Sequence, residues 1–103
     1  MIGFISGKLD EIDGNMVTIN CGGVGYDVMV SQTTLDSLGE IGSDAKIYTY
    51  LNINSRDNEI ALFGFASKEE KKMFLNLTSV SGIGPKTAVA ILGGVGLYDL
   101  ASS

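Results

Sequence analysis

One stretch of the sequence has residue types and spacing suited to binding an anion: residues 81–87, which read Ser-Gly-Ile-Gly-Pro-Lys-Thr. The two glycines leave the backbone amides of a turn accessible, and a helix beginning at Pro85 would add the positive end of its dipole. Lys86 adds a formal positive charge. We therefore predict a phosphate-binding turn in which amides supply most contacts and the Lys86 side chain assists. The predicted amide donors are Gly82, Gly84, Lys86 and Thr87.

Two helices are predicted to hold this turn. Ser67 and Glu70 have the Ser-x-x-Glu spacing of a capping box, and apolar residues follow at helical intervals, which predicts a helix over residues 68–79. Gly82 ends it, since glycine adopts positive φ without a Cβ penalty. A second helix begins at Pro85, where the missing N–H is not needed, and ends at residues 93–94. The pattern is helix, tight turn, helix.

Three other interpretations of this stretch compete with a phosphate-binding turn between two helices. A P-loop is excluded because Pro85 stands where its second glycine should be. A dinucleotide fingerprint needs a strand immediately before it and a βαβ unit after it, which the pattern does not supply. An ordinary helical corner with a glycine cap stays open. The combination of Gly-x-Gly, proline and lysine favours phosphate binding over that corner.

The part of the chain before the helices is predicted to be β. Alternating apolar residues and glycine-rich turns indicate a hairpin over residues 2–21, a third strand over 24–30 and two more strands over 45–53 and 59–65. A short helix lies between the third and fourth strands. This order is typical of an OB-fold barrel. The predicted fold class is therefore mixed β then α, with a five-stranded OB-fold barrel in residues 1–65 and a helix-hairpin-helix segment in residues 66–103. OB barrels bind nucleic acids, sugars or proteins, so the fold leaves function open.

Composition excludes several kinds of protein. The chain has 103 residues, no histidine and one cysteine, which rules out a Cys/His metal cluster or a Cys–His catalytic pair within it. We expect no cofactor. No apolar run approaches the roughly 20 residues of a membrane span, and the start of the chain lacks signal-peptide features, so a cytoplasmic protein is expected.

The net charge argues against a simple DNA binder. It is −5, whereas proteins that bind nucleic acid through phosphates are usually basic. The imbalance is local, because residues 1–66 carry three basic and nine acidic side chains, whereas residues 67–103 carry four lysines and three acids. We therefore expect most of the barrel surface to repel DNA and the turn to attract it.

Residues 80–88 resemble a helix-hairpin-helix, a motif that binds DNA phosphates without reading base sequence. Three further segments, residues 1–3, 22–28 and 62–65, accompany it in order and spacing. Together they make the chain similar to the RuvA family of Holliday-junction-binding proteins. The resemblance covers all 103 residues but only about the first half of that family's chains. A second hairpin motif and a C-terminal domain have no counterpart here, so a truncated fragment is expected.

The resemblance implies a non-enzymatic, structure-selective DNA-binding subunit. Its expected ligand is a four-way junction, its expected assembly a homotetramer, and its expected partners a hexameric branch-migration ATPase and a junction resolvase; no membrane is involved. ATP hydrolysis would take place in the ATPase, since this chain has no P-loop and no recognisable set of paired acids. Ile83 is expected to anchor the turn between the helices rather than touch DNA. The candidate DNA-binding residues are Ser81, Gly82, Ile83, Gly84, Pro85, Lys86, Thr87 and Arg56.

The polar loop between the last two strands has its own candidate role. In the RuvA family the corresponding loop is an acidic pin that repels phosphates near the junction centre, and the resemblance places its two acids at Asp57 and Asn58. Asn58 is not acidic. Glu59 is the candidate substitute, although one residue further along a strand it would face the opposite way. A solvated hairpin loop, with Arg56 merely hydrated, is the alternative.

A different class of function also fits the sequence. The barrel could make subunit contacts and the glycine turn could be only a corner, in which case the chain is a protein-interaction or oligomer-assembly module without DNA binding. The presence or absence of junction binding by an assembled sample separates the two functions.

Overall fold

The computed structural model describes residues 2–54 and 58–94. In that part of the chain five strands precede two longer helices, with a short helix between the third and fourth strands. The elements are β1 (Phe4–Asp13), β2 (Met16–Cys21), β3 (Val24–Val30), α1 (Gln32–Ser37), β4 (Asp44–Asn54), β5 (Glu59–Phe65), α2 (Lys68–Thr78) and α3 (Pro85–Gly94). Helix α2 ends within one residue of its predicted bound. The helical pattern predicted after Gly94 lies outside the described residues.

The five strands close into a barrel in the order β1-β2-β3-β5-β4. Strand β1 pairs with both β2 and β4, and the β3–β5 pair is the parallel one in an otherwise antiparallel barrel. This arrangement confirms the predicted five-stranded barrel followed by helices. Within the described residues, no helix has the length and apolar character needed to cross a membrane.

Alternation along the strands fills the barrel interior. Successive side chains of a strand point to opposite faces, so every second residue of a barrel strand points inward. The inward residues are aliphatic, and they form one buried cluster. Its members are Ile5, Leu9, Val17, Ile19, Val28, Val30, Ala45 and Ile47.

Strand β5 borders two cores at once. Gly64 points into the barrel, where a Cβ would lie 2.5 Å from methyl groups of both Ile47 and Val28, so only glycine fits without displacing them. Its neighbours Phe63 and Phe65 are buried on the other face. There they belong to a second cluster with residues of α2 and α3. The outer surface of β5 is therefore also the surface on which α2 and α3 pack.

Phe74 of α2 is the centre of this second core. Its ring lies 4.8 Å from that of Phe65, 5.6 Å from Phe63 and 5.5 Å from Tyr50, centroid to centroid, all in tilted geometries. Such tilted aromatic pairs contribute beyond the area they bury. Helix α3 completes the cluster with buried Ala88, Val89 and Leu92. The two helices consequently pack on the outer surface of β4 and β5.

Glu70 ties α2 to the short helix α1. The Ser67 hydroxyl caps α2 by accepting the Glu70 N–H at 3.1 Å, as the Ser-x-x-Glu spacing predicts. The Glu70 carboxylate in turn accepts from the hydroxyls of Ser31, at 2.8 Å, and Thr34. It also accepts the N–H of Ala66 at 3.3 Å. Ser31 and Thr34 are fully buried, and their hydroxyl oxygens already accept the N–H groups of Thr34 and Ala66. The half-buried Glu70 carboxylate is the acceptor for the two hydroxyl hydrogens.

Replacing Phe74 with alanine should remove the centre of the second core. We expect Phe74→Ala to lower the free energy of unfolding by about 3–5 kcal/mol, the range for a buried phenylalanine whose removal leaves a cavity. Urea unfolding followed by circular dichroism measures it. The neighbouring Leu75 is 41% exposed, so Leu75→Ala is a matched control that should lower it by less than about 1 kcal/mol. Equal effects of both variants would contradict the central position of Phe74.

Candidate functional site

The connection between α2 and α3 is a tight turn that requires glycine. The carbonyl of Val80 accepts the N–H of Ile83 at 3.1 Å, which closes a four-residue turn. Gly82 occupies its third position with a φ of +89°. Turns of type II place positive φ at this position, where residues with a Cβ are strained. Helix α2 itself ends at Thr78 with Ser79 as its C-cap, so Gly82 shapes the turn that follows the helix rather than ending the helix as predicted.

Helix α3 begins immediately after the turn, with Pro85 as its first residue. The carbonyl of Gly84 accepts the Ala88 N–H at 2.9 Å, the first bond of the helix. The amides of Lys86 and Thr87 lie within this first turn and donate to no acceptor in the described part of the chain. Both residues are exposed, as are Ser81, Gly82 and Gly84. The helix end thus presents unpaired N–H groups near an exposed turn.

Ile83 fixes the turn to the protein. It is half-buried and packs against the second core, alongside Leu77 and Met73 of α2. Its neighbours on both sides are exposed. The turn is therefore held by one apolar side chain while its backbone faces solvent, in agreement with the anchoring role expected for Ile83.

The start of α3 lies against the far end of the β4–β5 hairpin. A groove there is lined by residues 84–87 on one side and by Asn52, Glu59, Ala61 and Phe63 on the other. Glu59, Ala61 and Phe63 are alternate residues of β5, and Ala61 pairs in register with Asn52 of β4, so these four side chains share the outer face of the two strands. The hairpin consequently supplies one wall of the candidate site.

Glu59 places a carboxylate beside the candidate phosphate-binding lysine. Its Oε1 lies 3.9 Å from Nζ of Lys86, and the two side chains are 51% and 70% exposed. An exposed pair at this distance contributes little to stability. The Glu59 carboxylate matters more for anion binding than for stability, because its negative charge stands next to the Lys86 ammonium that an incoming anion would approach. The sequence pattern placed Glu59 on the face opposite Asn58 but did not predict its proximity to Lys86, since the residues are far apart in the chain.

Of the other residues in the predicted pin loop, the structure describes only Asn58. Asn58 is exposed and has a φ of +51°, a left-handed conformation that asparagine tolerates better than most residues. Arg56 and Asp57 lie outside the described residues. The acidic pin therefore stays a prediction. No group of three or more potential metal ligands occurs among residues 2–54 and 58–94.

Comparison with known proteins shows which family the chain resembles. Residues 1–64 match the family model described as RuvA N terminal domain. The chain belongs to this RuvA family. The match covers the barrel strands up to the penultimate residue of β5, and the resemblance inferred from sequence segments is confirmed.

Three curated relatives extend the RuvA match beyond the barrel, and each is named Holliday junction branch migration complex subunit RuvA. The protein of Acetivibrio thermocellus is 40% identical over 95 residues, covering 92% of this chain and 46% of the relative. That of Francisella tularensis subsp. novicida is 44% identical over 95 residues, covering 92% and 43%. That of Albidiferax ferrireducens is 37% identical over 103 residues, covering 100% and 53%, and thus includes the turn. The chain spans about half the length of these RuvA relatives.

Adding a methyl group at Gly82 should strain the turn without any clash. A Cβ at this position would have no atom of a non-adjacent residue within 4 Å, so the effect comes from φ alone. We expect Gly82→Ala to lower the free energy of unfolding by about 1 kcal/mol, measured by urea denaturation. Ser81→Ala, the adjacent exposed position, is the control and should change it by less than about 0.5 kcal/mol. A Gly82→Ala protein as stable as the wild type would show that the turn does not need positive φ.

Proposed function

We propose that this chain binds four-way DNA junctions through the turn at residues 81–87, independently of base sequence. The observation that carries the proposal is the exposed start of α3, with unpaired amides next to Lys86, in a chain of the RuvA family. Relatives named as subunits of the Holliday junction branch migration complex support it. The α2–turn–α3 unit then acts as a helix-hairpin-helix, and residues 66–103 form its domain, following the barrel domain of residues 1–65.

The phosphate contacts follow from the helix end. Aligned peptide dipoles place about half a positive charge at a helix N-terminus, and the first amides of α3 point their hydrogens toward it. The Lys86 ammonium adds a mobile point charge. Gly82 and Gly84 let a DNA backbone approach closely, because no Cβ stands between the amides and the phosphate. Backbone contacts of this kind position DNA and carry no base readout.

Selectivity for a junction requires several copies of the turn. We propose that four chains assemble around a fourfold axis through their barrels, so that each turn holds one duplex arm. The acidic parts of the barrel surface repel DNA away from the turns. In this assembly the loop with Arg56, Asp57, Asn58 and Glu59 would face the centre of the junction. There Asp57 repels phosphates as a pin, and Arg56 offers a further phosphate contact.

The partners in this proposal perform the chemistry. A hexameric ATPase hydrolyses ATP and moves the arms, and a junction resolvase acts on the same DNA; this chain is the non-catalytic DNA-binding scaffold. In this proposal the contact with the ATPase is made by a domain beyond the part of the longer relatives that this chain covers. Since bacterial chromosomal DNA lies in the cytoplasm, the proposed site of action is the cytoplasm.

Binding to a four-way junction tests the function directly. Fluorescence anisotropy with a labelled junction and with a linear duplex of the same arm sequence, at two salt concentrations, should show tighter binding to the junction. Lys86→Ala should weaken junction binding by about tenfold. It should also reduce the slope of log affinity against log salt concentration, the salt slope, by about 0.9 for each phosphate that is no longer neutralised. The effect should be equal for junctions of different base sequence. No binding of either DNA by a tetrameric sample at low salt would refute the proposal.

A substitution of Glu59 should change junction affinity in the opposite direction from Lys86→Ala in the same experiment. Glu59→Gln removes the carboxylate beside Lys86 and should raise junction affinity about two- to fivefold at low salt. Glu69→Gln makes the same charge change near the N-terminus of α2, at the end of that helix remote from residues 81–87. It should change junction affinity less. If both variants raised junction affinity equally, the increase would come from the change in net charge and not from the position of Glu59 beside Lys86.

One observation supports contacts between copies of this chain, which both the proposed tetramer and the alternative function, an assembly module without DNA binding, require. Ile53 and Ile60 are register partners at the far end of the β4–β5 hairpin, and they are 63% and 69% exposed. They continue the row of half-buried Leu51 and Leu62, which faces the barrel interior. Two large aliphatic side chains side by side on a protruding hairpin are suited to a contact between copies.

The contribution of this pair to assembly is measurable without DNA. The double variant Ile53→Ser and Ile60→Ser should shift the mass found by sedimentation velocity from tetramer toward monomer, because each buried isoleucine contributes about 1.5–3 kcal/mol to an interface. Val24→Ser, at a similarly exposed aliphatic residue of β3, is the control and should leave the mass unchanged. If the double variant stays tetrameric, the contact lies elsewhere.

A further inference from the structure

A second surface of the barrel combines aromatic rings with lysine ammonium groups. On the outer side of β1 and β4, Phe4 pairs in register with Tyr48, Ser6 with Lys46 and Lys8 with Asp44. The alternate residues Ile5, Ala45 and Ile47 are buried inside the barrel, so these six side chains share the outward face. We call this surface the β1–β4 outer face.

Cations lie directly over the rings of this face. Nζ of Lys46 is 4.6 Å from the ring centroid of Phe4 and 5.4 Å from that of Tyr48. Lys68, the first residue of α2, reaches the same Tyr48 ring at 5.8 Å. Phe4 is nevertheless 55% exposed, so much of its ring is accessible to solvent. The face therefore offers an open aromatic platform bordered by two ammonium groups.

The local charge runs against that of the whole chain. Lys8 is neutralised by Asp44 at 2.6 Å, but Lys46 and Lys68 pair with no carboxylate in the described part of the chain. Lys72 follows Lys68 by one helical turn on the same side of α2 and is also exposed. In a protein of net charge −5, this concentration of cations is suited to an anionic partner.

We propose that the β1–β4 outer face, together with Lys68, binds an unpaired DNA strand. In this complex the flexible Lys46 side chain leaves the Phe4 ring, over which it lies in the free protein, and contacts a flanking phosphate. A base then stacks on the uncovered ring, and Lys68 contacts a second phosphate. An exposed aromatic ring between cations is the arrangement by which proteins bind single strands without sequence preference. A duplex does not fit, because its bases are already stacked and paired and cannot reach the ring.

This face is distinct from the turn at residues 81–87. Tyr48 and Asn52 lie on the same side of β4, four residues apart, which is about 13 Å along a strand. Asn52 lines the groove at the start of α3, whereas Tyr48 lies beside the first residue of α2. The two surfaces are therefore separate, and the proposal does not depend on junction binding at the turn.

Binding of a labelled single-stranded oligothymidylate of about twenty nucleotides, long enough to span a site of this class, tests the proposal. Anisotropy titrations at low salt should show binding by the wild type, and Phe4→Ala should weaken it about fivefold or more because the base no longer stacks. Lys46→Gln should weaken it and reduce the salt slope by about 0.7, the value for one phosphate contact on a single strand. The matched variants Phe4→Tyr and Lys46→Arg keep the ring and the charge, so both should bind as the wild type does.

A crossed comparison separates this surface from the turn. Lys86→Gln removes one positive charge at the turn and should leave oligothymidylate binding unchanged, whereas Lys46→Gln should leave four-way junction binding unchanged. Absence of oligothymidylate binding by the wild type, or equal weakening by Lys46→Gln and Lys86→Gln, would overturn the proposal. So would a Lys46→Gln protein with unchanged oligothymidylate binding and altered mass in sedimentation, since the face would then be a contact between copies.

Discussion

The alternation of side chains along β5 is the constraint on which the rest of the structure depends. This strand has to close the barrel on one face and carry the helices on the other. Gly64 meets the first demand, because a side chain there would collide with Ile47 and Val28. Phe63 and Phe65 meet the second by packing against Phe74. A slip of one residue in register would exchange these faces and disrupt both cores together.

The candidate site follows from this double use of one strand. Once Phe74 is seated on β5 and Glu70 is bonded to the buried hydroxyls of α1, the direction of α2 is fixed. Ile83 then holds the turn against the same core, and α3 begins beside the β4–β5 hairpin. The amides at the start of α3 are therefore presented by packed elements rather than by a long loop, which suits a site that must hold an anion in a defined position.

Charge is distributed unevenly over the molecule. The barrel segment is rich in acids, yet Lys46 of its β1–β4 outer face and Lys68 of α2 lie over the aromatic rings of that face. The turn carries Lys86, with Glu59 next to it. A surface that is acidic in most places and basic in a few attracts DNA only where the cations lie, because repulsion elsewhere removes competing binding modes.

The sequence by itself determined the secondary-structure elements and the position of the turn. Alternation predicted the five strands, Ser67 and Glu70 predicted the start of α2, and Gly82 and Pro85 predicted the turn and the start of α3, because these signals act over a few residues. Only the tertiary structure decided which distant residues meet. The approach of Glu59 to Lys86, the reach of Glu70 to α1 and the convergence of Lys46 and Lys68 on Tyr48 depend on how β5 seats the helices on the barrel. No local pattern encodes such contacts, since they arise from packing between segments far apart in the chain.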